Sequence, residues 1–232
     1  MPLIDNTVTR FPNGFTNVGV GDIFASLREP DPSLFIRLSE DFHTFTSGDW
    51  STGGVGTPTR AAQAGRGGLI RLGNSAADND NSWLQTANPT FQIVAGKKLF
   101  FSARVTPSDA TQSDFVAGLQ IAVATNNFLT PVNGIFFIKD DDAATIEFVS
   151  RAASAETTSG AIKTLVDATQ YHLEFFYDGG ADLWASIDGT VLSRITPAAL
   201  PSVLMGATFG CQNGAAVAKT LDIDQVVVLQ ER

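Results

Sequence analysis

The chain holds one cysteine, Cys211, and two histidines, His43 and His172, in 232 residues. A single thiol excludes an intramolecular disulfide. Cys211 sits in the apolar, glycine-flanked run VLMGATFGCQNG, which predicts a buried structural thiol rather than a nucleophile. A β-rich chain of this size without a disulfide is expected to fold in a reducing cytoplasm. Two histidines are too few for a histidine-rich metal site, and no spacing sets Cys211 beside either of them as a nucleophile–base pair. Charge is also scarce, at 17% of residues, and it is lopsided, with a formal net charge of −9. An acidic chain without a Lys/Arg stripe repels phosphate backbones, so no nucleic-acid partner is expected. No run approaches 18 apolar residues, and the opening MPLIDNTVTRFPNGF lacks the basic and apolar regions of a signal peptide. Neither a membrane span nor an export signal is expected.

Catalytic and cofactor motifs are missing too. There is no Gly-x-Ser-x-Gly elbow, phosphate-binding loop or dinucleotide fingerprint. Glu174 and Asp178 have the spacing of a same-face carboxylate pair, but Asp178 already stands at a turn; Asp222 and Asp224 share a face near the C-terminus, where they cap a last strand. The acidic runs Asp78–Asn81 and Asp140–Asp142 offer oxygens but not EF-hand spacing, and both read as hydrated turns between strands. The expectation is a protein without catalytic residues, cofactor or metal.

What is present is β patterning. From Leu34 onward, short apolar runs recur: Leu34–Leu38, Leu69–Leu72, Leu99–Val105, Phe115–Ala124, Ile135–Lys139, Thr145–Val149, Tyr171–Tyr177, Leu183–Ile187, Val203–Phe209 and Leu221–Leu229. Turn pairs such as Asn133-Gly134, Asp188-Gly189 and Asn213-Gly214 punctuate them. That spacing predicts an all-β antiparallel sandwich over residues 34–232, of jelly-roll or concanavalin-like type. The clearest stretch is a meander from Tyr171 to Ile195, with Phe176 and Trp184 on its more polar face, there to be covered or to meet a partner. Helical signal is thin, confined to Ala152–Thr158 and Ala161–Leu165.

Residues 1–33 differ in texture. Pro2, Pro12, Pro30 and Pro32 oppose regular structure, yet Phe11, Phe15, Ile23, Phe24 and Leu27 are apolar. This predicts an extended N-terminal arm that either lies across its own sandwich or docks on a neighbour. Low charge and 17 phenylalanines also suggest a homo-oligomer.

The segments Thr9–Gly14, Glu40-Asp41-Phe42 with Asp49-Trp50, Ser108–Phe115, Phe209–Gly214 and Ala218-Lys219-Thr220 together resemble structural proteins of tailed bacteriophages, of the capsid decoration (cement) type. The resemblance implies a virion protein made in the host cytoplasm that binds the major capsid protein on the outer surface of the head. A trimer is the expected state, with Phe11, Phe15, Ile23, Phe24 and Leu27 as the capsid-binding residues. The pattern of Phe175–Thr190, a strand, Asp-Gly-Gly, a strand and Asp-Gly, is similar to concanavalin- and laminin-G-like modules. In such a fold Glu40–Phe45 and the last strand would be neighbours. That likeness implies the alternative, a carbohydrate-binding head-fibre or tail module using Trp50, Trp83 or Trp184 as a stacking platform.

Overall fold

The computed structural model describes residues 34–65 and 67–232. Phe11, Phe15, Ile23, Phe24 and Leu27, with the rest of the expected arm, lie outside the described residues.

Fifteen strands form among the described residues. They are β1 (Phe35–Glu40), β2 (Trp50–Val55), β3 (Thr59–Gln63), β4 (Leu69–Gly73), β5 (Asn81–Thr86), β6 (Leu99–Pro107), β7 (Ser113–Gln120) and β8 (Gly134–Lys139). There follow β9 (Thr145–Ala152), β10 (Ala155–Thr164), β11 (Tyr171–Tyr177), β12 (Leu183–Ile187), β13 (Thr190–Ile195), β14 (Gly206–Asn213) and β15 (Thr220–Glu231). Sheet A runs β13-β12-β11-β6-β15-β4-β3, with β1 also on β15; sheet B runs β10-β9-β8-β7-β14-β5-β2. Every pairing is antiparallel, as the turn pairs require. The fold is an all-β sandwich.

Alternation puts the core between the sheets. Phe115, Ala117 and Leu119 of β7 point inward and are fully buried, as are Leu173 and Phe175 of β11. At mid-sandwich, Phe101 and Phe175 of sheet A stack at 4.9 Å and meet Phe137, Phe148 and Phe209 of sheet B at ring distances of 5.6–6.5 Å. Such offset and tilted contacts add specificity to the burial of large apolar rings. Cys211 is 1% exposed in this core, and burial pushes its thiol up to about 12, so it is an inert structural residue.

Several boundaries differ from expectation. The apolar run Phe115–Ala124 stops pairing at Gln120, because residues 121–133 fold back over the outer face of sheet B. The stretch with thin helical signal is β10, an edge strand on β9 with register shifts around Ala161 and Gly160 at φ +66°; the glycine makes the bulge that breaks the period-2 pattern. Glu40–Phe45 is not a strand, and β15's neighbour is the preceding Phe35–Glu40. Strands β2, β3 and β5 (WSTGGV, TRAAQ, NSWLQT) carried too few β-branched or apolar residues to be seen in the sequence, and pairing with their neighbours defines them.

Candidate functional site

At one end of the sandwich four connections meet: β4–β5, β6–β7, β8–β9 and β14–β15. Asn213 is their hub. Its amide Nδ2 donates to the carbonyls of Ser75 (2.6 Å) and Ala77 (2.8 Å), and its Oδ1 accepts from Asn74 Nδ2 (3.1 Å) and the Lys219 N–H (3.0 Å). The Asn79 N–H donates to the Asn213 carbonyl at 3.1 Å, and the Gly214 N–H to that of Gln112 at 3.0 Å. Two ammonium groups fasten the β6–β7 connection. Lys139 continues the inward face of β8, is fully buried, and donates to the carbonyls of Thr111 (2.8 Å) and Ser113; burial pushes its pKa down. Lys219 Nζ lies 2.5 Å from Asp109. Burial alone would raise the Asp109 carboxyl, but Lys219 and the N–H groups of Gln112 and Thr111 hold it down at about 2.

On this scaffold β5, β14 and β7 present a row of outward side chains, Asn81–Gln212–Asp114, set by the registers Gln212↔Asn81 and Gln212↔Asp114. Gln212 Nε2 donates to Asn79 Oδ1 (3.2 Å) and Asp114 Oδ2 (3.4 Å), while Asn81 Nδ2 donates to Gln212 Oε1 (3.4 Å). Asp114 Oδ1 accepts the Asp141 N–H at 2.7 Å, and Asp142 accepts from Gln112 Nε2 at 2.8 Å. The two acidic runs that read as separate turns in the sequence are therefore brought together around Asp114 and Gln212. Burial first, then the neighbouring charges of Asp141 and Asp140, push the Asp114 carboxyl up to about 6. Asn81 Oδ1 is buried with no hydrogen-bond partner among the described residues. Asn79, Asp140 and Asp141 are exposed and Gln212 is half-buried, so these are the groups a ligand reaches. Among the described residues no three His, Cys, Asp or Glu side chains are grouped to hold a metal ion.

The rest of the outer face of sheet B is filled by the chain itself. Phe128, fully buried, lies where a Cβ on Gly210 would come within 2.3 Å of its ring, and Trp83 covers Gly53 in the same way. Gln85 Nε2 donates to the carbonyls of Gln120 and Ile121 and to Thr208 Oγ1, and its Oε1 accepts the Val123 N–H. Trp83 Nε1 donates to Asn126 Oδ1 at 2.8 Å. Two of the three expected stacking tryptophans are thereby withdrawn: Trp83 is 8% exposed under this loop and Trp50 is 6% exposed in the core. Trp184, on the outer face of sheet A, is half-buried, with the Arg194 guanidinium 5.1 Å from its ring; Phe176 beside it is buried.

One further constellation was invisible as chemistry in the sequence. Ser102 Oγ is 2.7 Å from His172 Nε2, and Glu174 Oε1 is 3.5 Å from the same nitrogen. In a nucleophilic triad the acid orients the imidazole through the opposite nitrogen. Here hydroxyl and carboxylate compete for one nitrogen, and burial lowers the His172 pKa to about 4. The neighbouring positive charge of Arg104 lowers it further, and the Asp188 carboxylate opposes both. The group reads as a structural cluster.

No protein-family model and no curated protein sequence matches the chain. Solved structures do. A protein of unknown function from Shewanella oneidensis MR-1 aligns with a TM-score of 0.63 at 17% identity, over 85% of this chain and 87% of that one. The Emp47p carbohydrate recognition domain aligns at 0.61 and 15%, over 86% and 98%. An endo-β-1,4-glucuronan lyase from the fungus Trichoderma reesei aligns at 0.56 and 9%, over 82% and 94%. At these identities the likeness is one of fold: the chain is an antiparallel β-sandwich of jelly-roll, concanavalin-like type.

Proposed function

We propose that this chain is a non-enzymatic carbohydrate-binding module whose ligand docks at the loop end of sheet B. The observation that carries the reading is the convergence of the Asn79 and Gln212 amides and the Asp114 carboxylate on one rim, with the Asp141 N–H fastening Asp114 there. Hydroxyl-rich ligands need paired donors and acceptors held in fixed positions, and a side-chain amide offers both. Asn81 and Asp114 hold Gln212 from behind, so little side-chain freedom is lost when a ligand binds. The lectin-like neighbours support the reading at the level of fold. A glycan array probed with the full chain tests it. Reproducible binding is expected, and Gln212→Ala or Asn79→Ala should abolish it while leaving the melting temperature within a few degrees of the parent. The absence of any glycan ligand, or hits indifferent to both substitutions, would overturn it.

The setting we propose is a virion, where the module sits on a head fibre or tail, or decorates the head as a trimer on the major capsid protein. Its support is the sequence resemblance described above. Labelled virions imaged by electron microscopy would place the protein, and a monomeric mass both free and particle-bound would remove the trimer.

A further inference from the structure

Strand β15 changes neighbours along its length. Thr220–Ile223 pair with β4 and Val226–Glu231 pair with β1, leaving Asp224 and Gln225 between the ends of two collinear strands. On its other flank the register with β6 slips between Ile223 and Gln225. Ile223 and Val226 are both fully buried in the core, so the slip turns two consecutive side chains, Asp224 and Gln225, to the outer face of sheet A. Bulges re-aim side chains in this manner beside binding sites.

The interruption opens a cleft of about 740 Å³ whose polar groups come from Asp41, Arg104, Gln170, Asp224 and Gln225, with Leu69 on its wall. Asp224 Oδ2 accepts from Gln170 Nε2 at 3.2 Å. Arg104 is exposed and stands in register with Gln225 and His172. Its nearby counterpart Arg71 is held by both carboxylate oxygens of Asp222, at 2.6 and 2.7 Å, whereas Arg104 makes no ion pair among the described residues.

We propose that this cleft binds the carboxylate-bearing residue of an acidic glycan, a uronic acid; the inference rests on the carbohydrate-binding reading but concerns a second, separate site. The guanidinium of Arg104 offers a planar fork for one carboxylate. Asp41 and Asp224 accept from hydroxyls, and the two glutamines flank them. This charge pattern also excludes: a second anionic group inside the cleft meets Asp41 and Asp224, a cation meets Arg104, and a neutral sugar leaves the guanidinium unused. One anionic group with several hydroxyl donors satisfies all five side chains.

The test is titration of the ¹⁵N-labelled full chain with sodium glucuronate, glucose and glycine, followed by NMR. Glucuronate should shift the amides of Arg104, Gln170, Asp224 and Gln225, and glucose should bind about tenfold more weakly or not at all. Arg104→Ala should weaken glucuronate by about tenfold or more, with unchanged melting because the side chain is exposed. Gln212→Ala should leave it unaffected, so failure of the loop-end site and failure of this one are separable. Equal shifts from glucose, equal shifts from glycine, wild-type affinity in Arg104→Ala, or shifts centred on Gln212 would each overturn the proposal.

Discussion

The outer faces of the two sheets obey the same alternation and end in different states. On sheet B, glycines at Gly53 and Gly210 make room for Trp83 and Phe128 to lie against the strands, and residues 121–133 close over them. On sheet A, the slip in β15 leaves a polar cleft open at Asp224 and Gln225. The difference teaches that alternation assigns a side chain to a face, while what crosses that face decides whether it is core, plug or site. Phe128 and Trp184 both belong to outer faces, yet one is fully buried and the other only half.

The strongest way to break that comparison is to truncate each aromatic. Phe128→Ala should cost about 3–5 kcal/mol, as a core phenylalanine does, because its cavity lies over Gly210 and cannot collapse against a missing Cβ. Trp184→Ala should cost distinctly less, since part of its surface stays in water. Urea denaturation of both variants measures this, and equal losses would mean that the loop over sheet B is not part of the core.

A smaller effect sharpens the account of how the loop is held. Gln85→Leu keeps the shape but leaves the Val123 N–H, the Ile121 carbonyl and the Thr208 hydroxyl without this partner. A loss of about 1–3 kcal/mol is expected, with faster hydrogen exchange over residues 121–133 and little change in β6 or β11. Unchanged exchange there would show that Phe128 alone anchors the loop.

The smallest effect is one of pH, and the two faces contribute with opposite sign. Asp114 on sheet B is raised by burial from 3.8 to about 6, so between those values the folded chain binds more protons than the unfolded one. Its contribution to stability is therefore largest below about pH 4 and is lost as pH rises towards 6. His172 on sheet A is lowered by burial from 6.5 to about 4, so there the unfolded chain binds more protons and stability grows as pH rises through the same window. In the wild type the two contributions oppose each other between pH 4 and 6. Asp114→Asn should make stability climb with pH, and His172→Gln should make it fall. Thermal melts across that range decide it, and parallel profiles for both variants would show that neither group titrates as its burial implies.

Much of the fold was legible from local pattern. Tyr171–Tyr177 and Leu183–Ile187 alternate so regularly, between such clear turn pairs, that their ends match the structure to the residue. Pattern failed where a strand owes its existence to its neighbours, as TRAAQ in β3 and AETTSGAIKT in β10 do. Of the candidate sites, Asp78–Asn81 and Asp140–Asp142 stood out by composition, but nothing local linked them. Their meeting at Gln212 and Asp114 depends on β14 lying between β5 and β7, a pairing of residues about 100 and 130 positions apart in the chain. Likewise the sequence set Asp222 and Asp224 on one face, without distinguishing their roles. Asp222 is bound by Arg71, while a register slip turns Asp224 into the cleft, where Gln170 donates to it.

By itself, then, the sequence determined the all-β class, the inward phenylalanines and the inert burial of Cys211, because period-2 alternation and turn chemistry are properties of a few adjacent residues. Only the tertiary structure decided which outward side chains are plugged, which converge on a rim and which line a cleft. Those outcomes depend on strand order and register, and strand order joins residues that no local pattern connects.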